Sequence, residues 1–448
     1  MRSDVPMPQQ ARTTSALYRT LWRWHFYAGV LCVPVLISLG LTGAIYLFKP
    51  DVERARIAAY ADLTPGDARA PANAQIALAL NTLPDARFIE YRVPESDNDA
   101  PVITVLAGGA RHAVAIDPWR LSVIEVRNLD QEIMQTVRSL HGELLSGDAG
   151  SIVVELVGSW AIVLLLTGLY LAWPADTRRL ATMLWPPANR PEPSSAKRAA
   201  STISSRTRWR DWHAAIGLWI SLLVLFLLIT GLPWSMVWGG AFKEVRAWAG
   251  SFGEPTWSSG RSAEIRVWQR RAVEGVNLPD RLVEAARRLD FAPPATLAPQ
   301  PGSEGAWSLA SDHPNRMLRE TALLDPTTGL VLARRNFADQ GLLDRAIGIG
   351  ISAHEGALFG RANQVLGLIA ALGTIALSAS GTVMWLKRRP IGILGAPPAP
   401  TGRRWFPTLV LVLACILPLI AASLVALWLL EQVFRRIPPA ARWLGLAH

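Results

Sequence analysis

The sequence is poor in three features that would direct attention to soluble or secreted proteins. Only 2 of its 448 residues are cysteines, Cys32 and Cys415, and both lie in apolar runs without metal-ligand or disulfide spacing. It has no glycine-rich fingerprint of a flavin- or nicotinamide-binding domain. Charged residues make up 18% of the chain and are absent from several long stretches. These gaps exclude a disulfide scaffold and a dinucleotide-binding enzyme.

Five long runs contain no Asp, Glu, Lys or Arg, at residues 26–48, 156–175, 214–242, 362–386 and 405–430. A helix of about 20 apolar residues spans the hydrocarbon core of a bilayer. A helix of a soluble protein rarely stays uncharged for so long, because one of its sides faces water. The runs therefore predict an α-helical integral membrane protein.

The net charge of +10 is concentrated in three short segments. Residues 1–25 carry four Arg and one Asp, residues 174–213 carry eight Lys/Arg and three acids, and residues 387–404 carry five Lys/Arg and no acid. These segments share one side of the membrane if all five runs span it, which is the positive-inside pattern. The pattern predicts a cytoplasmic N-terminus, an external C-terminus and no nucleic-acid partner.

The chain thus divides into alternating membrane and polar segments. The prediction is a cytoplasmic segment (1–25), TM1 (26–48), an outer module (49–140), TM2 with a histidine-bearing lead-in (141–175), a basic loop (176–212), TM3 (213–242), a second outer module (243–353), TM4 with its own lead-in (354–386), a cytoplasmic loop (387–404), TM5 (405–430) and a tail (431–448). Both outer segments combine one helix pattern with short alternating strand patterns, so each is expected to form a small α+β module.

The two halves of the chain repeat one pattern. Trp24-His25 matches Trp212-His213, and in both copies a glycine follows one helical turn later and a Thr-Gly pair follows at 42–43 and at 230–231. His141 matches His354, and at equal spacing each is followed by a glycine and then by a Thr-Gly or Ser-Gly pair, at 167–168 and at 380–381. The sequence therefore predicts a twofold repeat of helix, module and helix, followed by one additional C-terminal transmembrane helix.

The four repeat-equivalent histidines are candidate axial ligands of haem iron: His25, His141, His213 and His354. Gly29 and Gly43 lie near the His25 face of their helix, and Gly217 and Gly231 repeat this relation to His213, so these glycines are candidates for making room for a porphyrin. A haem held by His25 and His213 on the inner side and another held by His141 and His354 on the outer side would fit this arrangement, although the sequence alone leaves the number of haems and the pairing open. The alternatives are structural or interfacial histidines and a bare metal site that includes Glu143 and Glu355.

These motifs resemble the PepSY-associated transmembrane helix proteins of the bacterial inner membrane. The Trp-His-x-x-x-Gly pattern, the histidine before each even span and the Asp-Pro turns carry the resemblance over about residues 15–390. The Asp-Pro-x-x-Gly turn is complete at 325–329, whereas Leu121 replaces the glycine in the first module. The resemblance implies periplasmic PepSY-like modules and two b-type haems, and the chain has no C-x-x-C-H motif for covalent attachment.

The resemblance further implies a diheme ferric-siderophore reductase. Electrons from a membrane quinol or a partner protein would reduce siderophore-bound iron in the periplasm and release it as ferrous iron. A second hypothesis is a non-redox membrane protein that binds or regulates a periplasmic partner, with structural histidines. A third is an iron or siderophore transporter, since two repeats can also build a transport path. No catalytic side chain beyond the four histidines is identified.

Overall fold

A computed structural model describes residues 16–173, 184–185, 201–248, 261–302, 305–397 and 406–446. Most of the predicted basic loop 176–212 and part of the predicted loop 387–404 lie outside these residues. The chain forms two compact units: unit 1 comprises residues 1–44, 149–241 and 366–448, and unit 2 comprises residues 45–148 and 242–365.

The described helices are, in chain order, α1 (Ala16–Tyr46), α2 (Lys49–Ala58), α3 (Ala72–Asn81), α4 (Ile133–Glu143), α5 (Gly147–Ala172), α6 (Ser201–Gly231), α7 (Val237–Trp248), α8 (Arg261–Arg271), α9 (Asp280–Arg288), α10 (Leu342–His354), α11 (Arg361–Arg388), α12 (Phe406–Ile416), α13 (Pro418–Arg435) and α14 (Pro438–Trp443). The described strands are β1 (Arg87–Arg92), β2 (Val102–Ala107), β3 (Ala110–Asp117), β4 (Ser122–Asn128), β5 (Ala295–Pro299), β6 (Trp307–Ser311), β7 (Glu320–Leu324) and β8 (Val331–Asn336).

Five helical stretches of the described chain are long and apolar enough to cross a membrane, at Ala16–Ala58, Gly147–Ala172, Thr207–Trp234, Arg361–Arg388 and Pro418–Arg435. A helix satisfies all its backbone hydrogen bonds within one segment, which the bilayer core requires. These five stretches therefore have the length and composition of membrane-spanning helices. The first four correspond to the predicted spans, and the fifth begins at Pro418 rather than at the predicted Trp405.

Small residues allow the helices of unit 1 to approach closely. A Cβ atom added to Gly40 of α1 would lie 2.7 Å from Ile375 Cγ1 of α11. A Cβ atom added to Gly373 of α11 would lie 2.7 Å from Ile220 Cδ1 of α6. Such contacts are typical of membrane helices, which associate through van der Waals packing rather than through exclusion of water.

A buried carboxylate joins α5 to the segment that follows α6. Glu155 is 5% exposed and accepts hydrogen bonds from the backbone N–H groups of Val237 (2.7 Å) and Trp238 (2.9 Å). These donors belong to the first turn of α7, where a helix has unpaired N–H groups and favours negative charge. Glu155 therefore serves as a helix cap supplied by a different helix.

The predicted fifth span is divided into two helices. Leu417 has φ −137° and ψ 79°, and Pro418 begins α13 without a backbone N–H group, so α12 ends at Ile416. Trp238 Nε1 donates to the Ile416 carbonyl at 3.0 Å, which puts the break at the end of unit 1 where α7 begins.

After α13, the chain returns to the end of unit 1 at which Leu394 and Tyr27 lie. The Leu394 N–H, ahead of α12, donates to the Trp443 carbonyl at 2.9 Å, and Tyr27 Oη donates to the Leu444 carbonyl at 2.8 Å. The stretch from α12 to α13 therefore leaves and re-enters one side of unit 1. This corrects the prediction of one continuous helix over residues 405–430, which is divided at Leu417. Proline at the break is the physical reason.

Unit 2 is built on one antiparallel sheet to which both outer segments contribute. The strand order is β4-β3-β2-β1-β5-β6-β7-β8, and the two segments meet where Tyr91 pairs with Leu297 and Arg92 with Thr296. Helices α3 and α9 cover one face of the sheet, with Ile76 and Leu282 among the fully buried residues. The sequence predicted two separate modules, and the structure joins their strands in one sheet.

Candidate functional site

The histidines of α1 and α6 lie close together in unit 1. The ring centroids of His25 and His213 are 6.5 Å apart, and the ring planes are nearly perpendicular at 89°. Both side chains are half-buried, and a long apolar run follows each of them along its helix. The predicted inner pair is therefore brought together by the fold, although the two residues lie in different halves of the predicted repeat.

Each of these imidazoles is held by a hydroxyl group from another helix. His25 Nδ1 lies 3.0 Å from Thr167 Oγ1 of α5, and His213 Nδ1 lies 2.9 Å from Ser380 Oγ of α11. The four transmembrane helices of the predicted repeat thus all contribute to one polar cluster. Thr167 and Ser380 are functional candidates that the sequence reasoning missed, although both had been aligned in the repeat.

Two glycines lie directly against the rings. A Cβ atom added to Gly168 would be 3.0 Å from His25 Cε1, and one added to Gly381 would be 3.5 Å from His213 Cε1. The sequence had assigned the close-approach role to glycines on the histidine helices. Of these, an added Cβ on Gly29 would lie 4.0 Å from Leu164, and one on Gly217 would lie 3.7 Å from Leu377.

The other two predicted glycines lie farther along the same helices. Gly43 and Gly231 come about five turns after His25 and His213, which corresponds to a helical rise of about 27 Å. The inner histidine pair and these glycines therefore occupy different levels of α1 and α6.

The outer histidines lie in unit 2 on helices of their own. His141 is in the last turn of α4, and His354 is the last residue of α10. Both are half-buried. They were predicted in the lead-ins to TM2 and TM4, and in the structure Leu144 (φ 48°) and Gly356 (φ 76°) interrupt the helix after each of them. Left-handed residues end a helix because they turn the next carbonyl out of the hydrogen-bonding pattern.

Charged groups surround the end of α10. Glu355, next to His354, interacts electrostatically with Lys49 and with Arg316. The backbone N–H of Arg316 donates to Ser352 Oγ at 2.9 Å, which fixes that residue against α10. Burial lowers the pKa of the Arg316 guanidinium, and the nearby charge of Arg319 acts in the same direction. This region could hold an anionic group beside His354.

The remaining histidines have local roles or lie elsewhere. His112 Nδ1 is 3.2 Å from the Ala110 carbonyl at the start of β3, and His313 Nδ1 accepts from the Asn315 N–H at 3.0 Å. His448 lies outside the described residues. His112 and His313 are therefore suited as controls for the four candidate ligands.

The spacing of the inner pair fits a metal held between two imidazoles. A bond of about 2 Å from each nitrogen to the metal, plus about 1.1 Å from each nitrogen to its ring centre, gives centroids about 6.2 Å apart. The observed separation is 6.5 Å. Within the described ranges, no group of three or more His, Cys, Asp or Glu side chains could hold a metal ion. Two nitrogen ligands suit the axial positions of a haem, whose remaining ligands come from the macrocycle.

Comparison with known proteins identifies one family. The profile of the PepSY-associated TM region matches residues 22–388. That range includes all four candidate histidines, Thr167 and Ser380. A search of curated proteins finds no match.

Proposed function

Because the chain belongs to the PepSY-associated TM family, we propose that it is a haem b protein of the bacterial inner membrane that reduces siderophore-bound ferric iron in the periplasm. The observation that carries this proposal is the pairing of His25 with His213 at a centroid separation of 6.5 Å. Two half-buried imidazoles that lie close together on separate helices are suited to bis-histidine ligation. The family match supports the membrane setting of this site.

A haem bound at this position would supply a one-electron carrier that alternates between ferric and ferrous iron. His25 and His213 would hold it from α1 and α6, and the apolar packing of unit 1 would limit access of water. The electron donor would be a membrane quinol or a partner protein. One quinol would give two electrons and two protons and become a quinone, which is sufficient to reduce two ferric chelates. Ferrous iron is the softer ion, so oxygen-donor chelators would hold it less tightly.

We assign a second haem to His141 and His354 as part of the same proposal. Both residues are half-buried at the ends of amphipathic helices in unit 2. Arg138, one turn before His141, and Glu355 both interact electrostatically with Tyr46. Together with Lys49, these groups form a charged setting suited to the propionates of a haem or to an anionic iron chelate.

The twofold repeat and the orientation also belong to the proposal. The strand order β4-β3-β2-β1-β5-β6-β7-β8 is what two equivalent four-stranded halves would produce. The positions of Thr167 and Ser380 beside the two histidines support the same equivalence. The positive-inside pattern supports a cytoplasmic N-terminus and a periplasmic unit 2.

The test is a visible spectrum of the protein purified in mild detergent, recorded before and after dithionite. We expect a Soret band with sharp α and β bands after reduction. His25→Ala and His213→Ala should each remove one spectral component, His141→Ala and His354→Ala the other. His112→Ala and His313→Ala should leave the spectrum unchanged. A featureless spectrum of folded protein after haem addition would refute the proposal.

A second candidate is a membrane protein that binds a periplasmic partner without redox activity. The observation that favours it is the edge strand β8, in which all six residues are exposed. An exposed edge strand can pair with an extended segment of another protein. The same spectrum separates the two candidates, since this function needs no absorbing group.

A further inference from the structure

Two dipeptides in the transmembrane helices remain without a role in the proposed function. Thr167-Gly168 on α5 and Ser380-Gly381 on α11 occupy equivalent places in the predicted repeat. In each pair, the hydroxyl lies beside the Nδ1 atom of a histidine and the glycine lies beside the Cε1 atom of the same ring. Each dipeptide therefore contacts one imidazole through both its hydroxyl group and its glycine.

The direction of the hydrogen bonds follows from what the hydroxyl groups already donate to. Thr167 Oγ1 donates to the Val163 carbonyl at 2.6 Å, so its single proton is committed to its own helix. Ser380 Oγ donates to the Leu377 carbonyl at 3.0 Å in the same way. Each hydroxyl oxygen can then only accept from the imidazole. This arrangement favours the tautomers in which His25 and His213 carry their protons on Nδ1.

This assignment determines which nitrogen can bind a metal. A neutral imidazole has one N–H group and one lone-pair nitrogen. With the proton of His25 on Nδ1, its Nε2 atom carries the lone pair, and the same holds for His213. Gly168 and Gly381 leave space at the ring edge, and a larger residue at position 168 would press on the ring. The hydroxyl and the glycine together restrict rotation of each ring.

We infer that Thr167 and Ser380 are positioning residues that keep His25 and His213 as Nδ1–H tautomers with Nε2 directed to a shared ligand. A hydrogen bond from Nδ1–H to an oxygen also makes Nε2 more basic, which favours ferric over ferrous iron. The electronic part of this inference rests on the proposed haem function. The tautomer part does not, because it concerns the protein without haem.

The first measurement uses haem-free full-length protein labelled with ¹⁵N-histidine, in which NMR distinguishes the two tautomers. We expect His25 and His213 to be Nδ1–H tautomers in the wild type. Thr167→Val keeps the side-chain shape but removes the hydrogen-bond acceptor, so only His25 should lose its preference for the Nδ1–H tautomer. Thr167→Ser should restore that preference. Ser380→Ala should release His213 only. Thr374→Val removes a hydroxyl that makes a similar bond within α11, to Ala370 (2.8 Å), and is the matched control.

The second measurement is a redox titration of the same variants after haem loading. A tenfold loss of the preference for ferric iron corresponds to a rise of about 59 mV in midpoint potential. We expect a rise of this order for Thr167→Val, recovery in Thr167→Ser, and no change for Thr374→Val. The perpendicular rings should give a strongly axial low-spin ferric EPR signal, and Thr167→Val should alter its anisotropy.

The outcomes separate the two proposals. A wild type that binds no haem refutes the proposed function, and the NMR measurement still decides the positioning role. Nε2–H tautomers in the wild type would overturn the inference, as would an unchanged tautomer and potential in both Thr167→Val and Ser380→Ala. If Thr167→Val fails to fold, Ser380→Ala tests the same role at the second histidine.

Discussion

Substitution of the two ring-facing glycines by alanine should have unequal effects. The added Cβ atom would lie 3.0 Å from His25 Cε1 at position 168 but 3.5 Å from His213 Cε1 at position 381. The first distance is shorter than an ordinary van der Waals contact, and the second is ordinary. The same chemical change at equivalent positions therefore tests whether the ring distances are as described.

The magnitudes can be estimated from two opposing effects. Alanine is favoured over glycine inside a helix by about 1 kcal/mol. Overpacking a well-packed site costs about 1–3 kcal/mol. Gly381→Ala should therefore stabilise the protein by up to about 1 kcal/mol. Gly168→Ala should range from neutral to about 2 kcal/mol less stable, because the clash offsets the gain in helix propensity.

The assay is thermal unfolding in detergent, followed by circular dichroism, with the Soret absorbance per protein as a second readout. We expect the order of melting temperatures to be Gly381→Ala, wild type, Gly168→Ala. Haem retention should fall in Gly168→Ala, since the ring of His25 must move. If both variants are equally stabilised, or if Gly168→Ala is the more stable of the two, the described contact between Gly168 and His25 is incorrect.

Three further predictions concern buried charges. Burial, assisted by the charge of Asp312, raises the pKa of Glu90 from 4.5 to about 7. Between these pH values the folded protein keeps a proton that the unfolded chain loses, so the free energy of unfolding should fall by up to about 3 kcal/mol as the pH rises from 4.5 to 7. The free energy of unfolding of Glu90→Gln should lack this pH dependence. Glu155→Ala, which removes two cap hydrogen bonds to α7, should cost about 2–4 kcal/mol in thermal unfolding, whereas Glu244→Ala at an exposed position of α7 should change it little. Arg246→Met, which leaves the partly buried Asp344 without its 2.9 Å ion pair, should cost up to about 3 kcal/mol in thermal unfolding. An unchanged stability would contradict that pairing.

Local patterns in the sequence were sufficient for most elements of unit 2 but not for the strand that joins its halves. Alternation predicted the strands of the first segment and most of those of the second. Strand β5 was missed because Pro293, Pro294 and Pro299 lie beside or within it, and proline argues against a central strand. Its pairing with β1 depends on residues in the other half of the chain, and periodicity does not contain that information.

The sequence likewise predicted some residues of the candidate site but not others. The equivalent places of His25 and His213 in the predicted repeat favoured a shared haem, and the structure brings the two rings to a centroid separation of 6.5 Å. The hydroxyls of Thr167 and Ser380 were not predicted, because the residues making room for a porphyrin were expected on the histidine helices themselves. The signal was present in the sequence as Thr-Gly and Ser-Gly, which follow the two outer histidines at equal spacing. Only the packing of α5 on α1 and of α11 on α6 gives those dipeptides a partner.

The return of the chain through α12 and α13 has a practical consequence for labelling the protein. Because Leu444 accepts a hydrogen bond from Tyr27 in the first half of α1, we expect a reporter fused to the C-terminus to reach the same compartment as one fused ahead of α1. A fluorescent protein that matures only in the cytoplasm should therefore fluoresce when fused to either terminus or to neither. A periplasmic phosphatase fused at either end should give the opposite readout. One pair of fusions therefore shows whether the chain crosses the membrane an even or an odd number of times, whatever cofactor it binds.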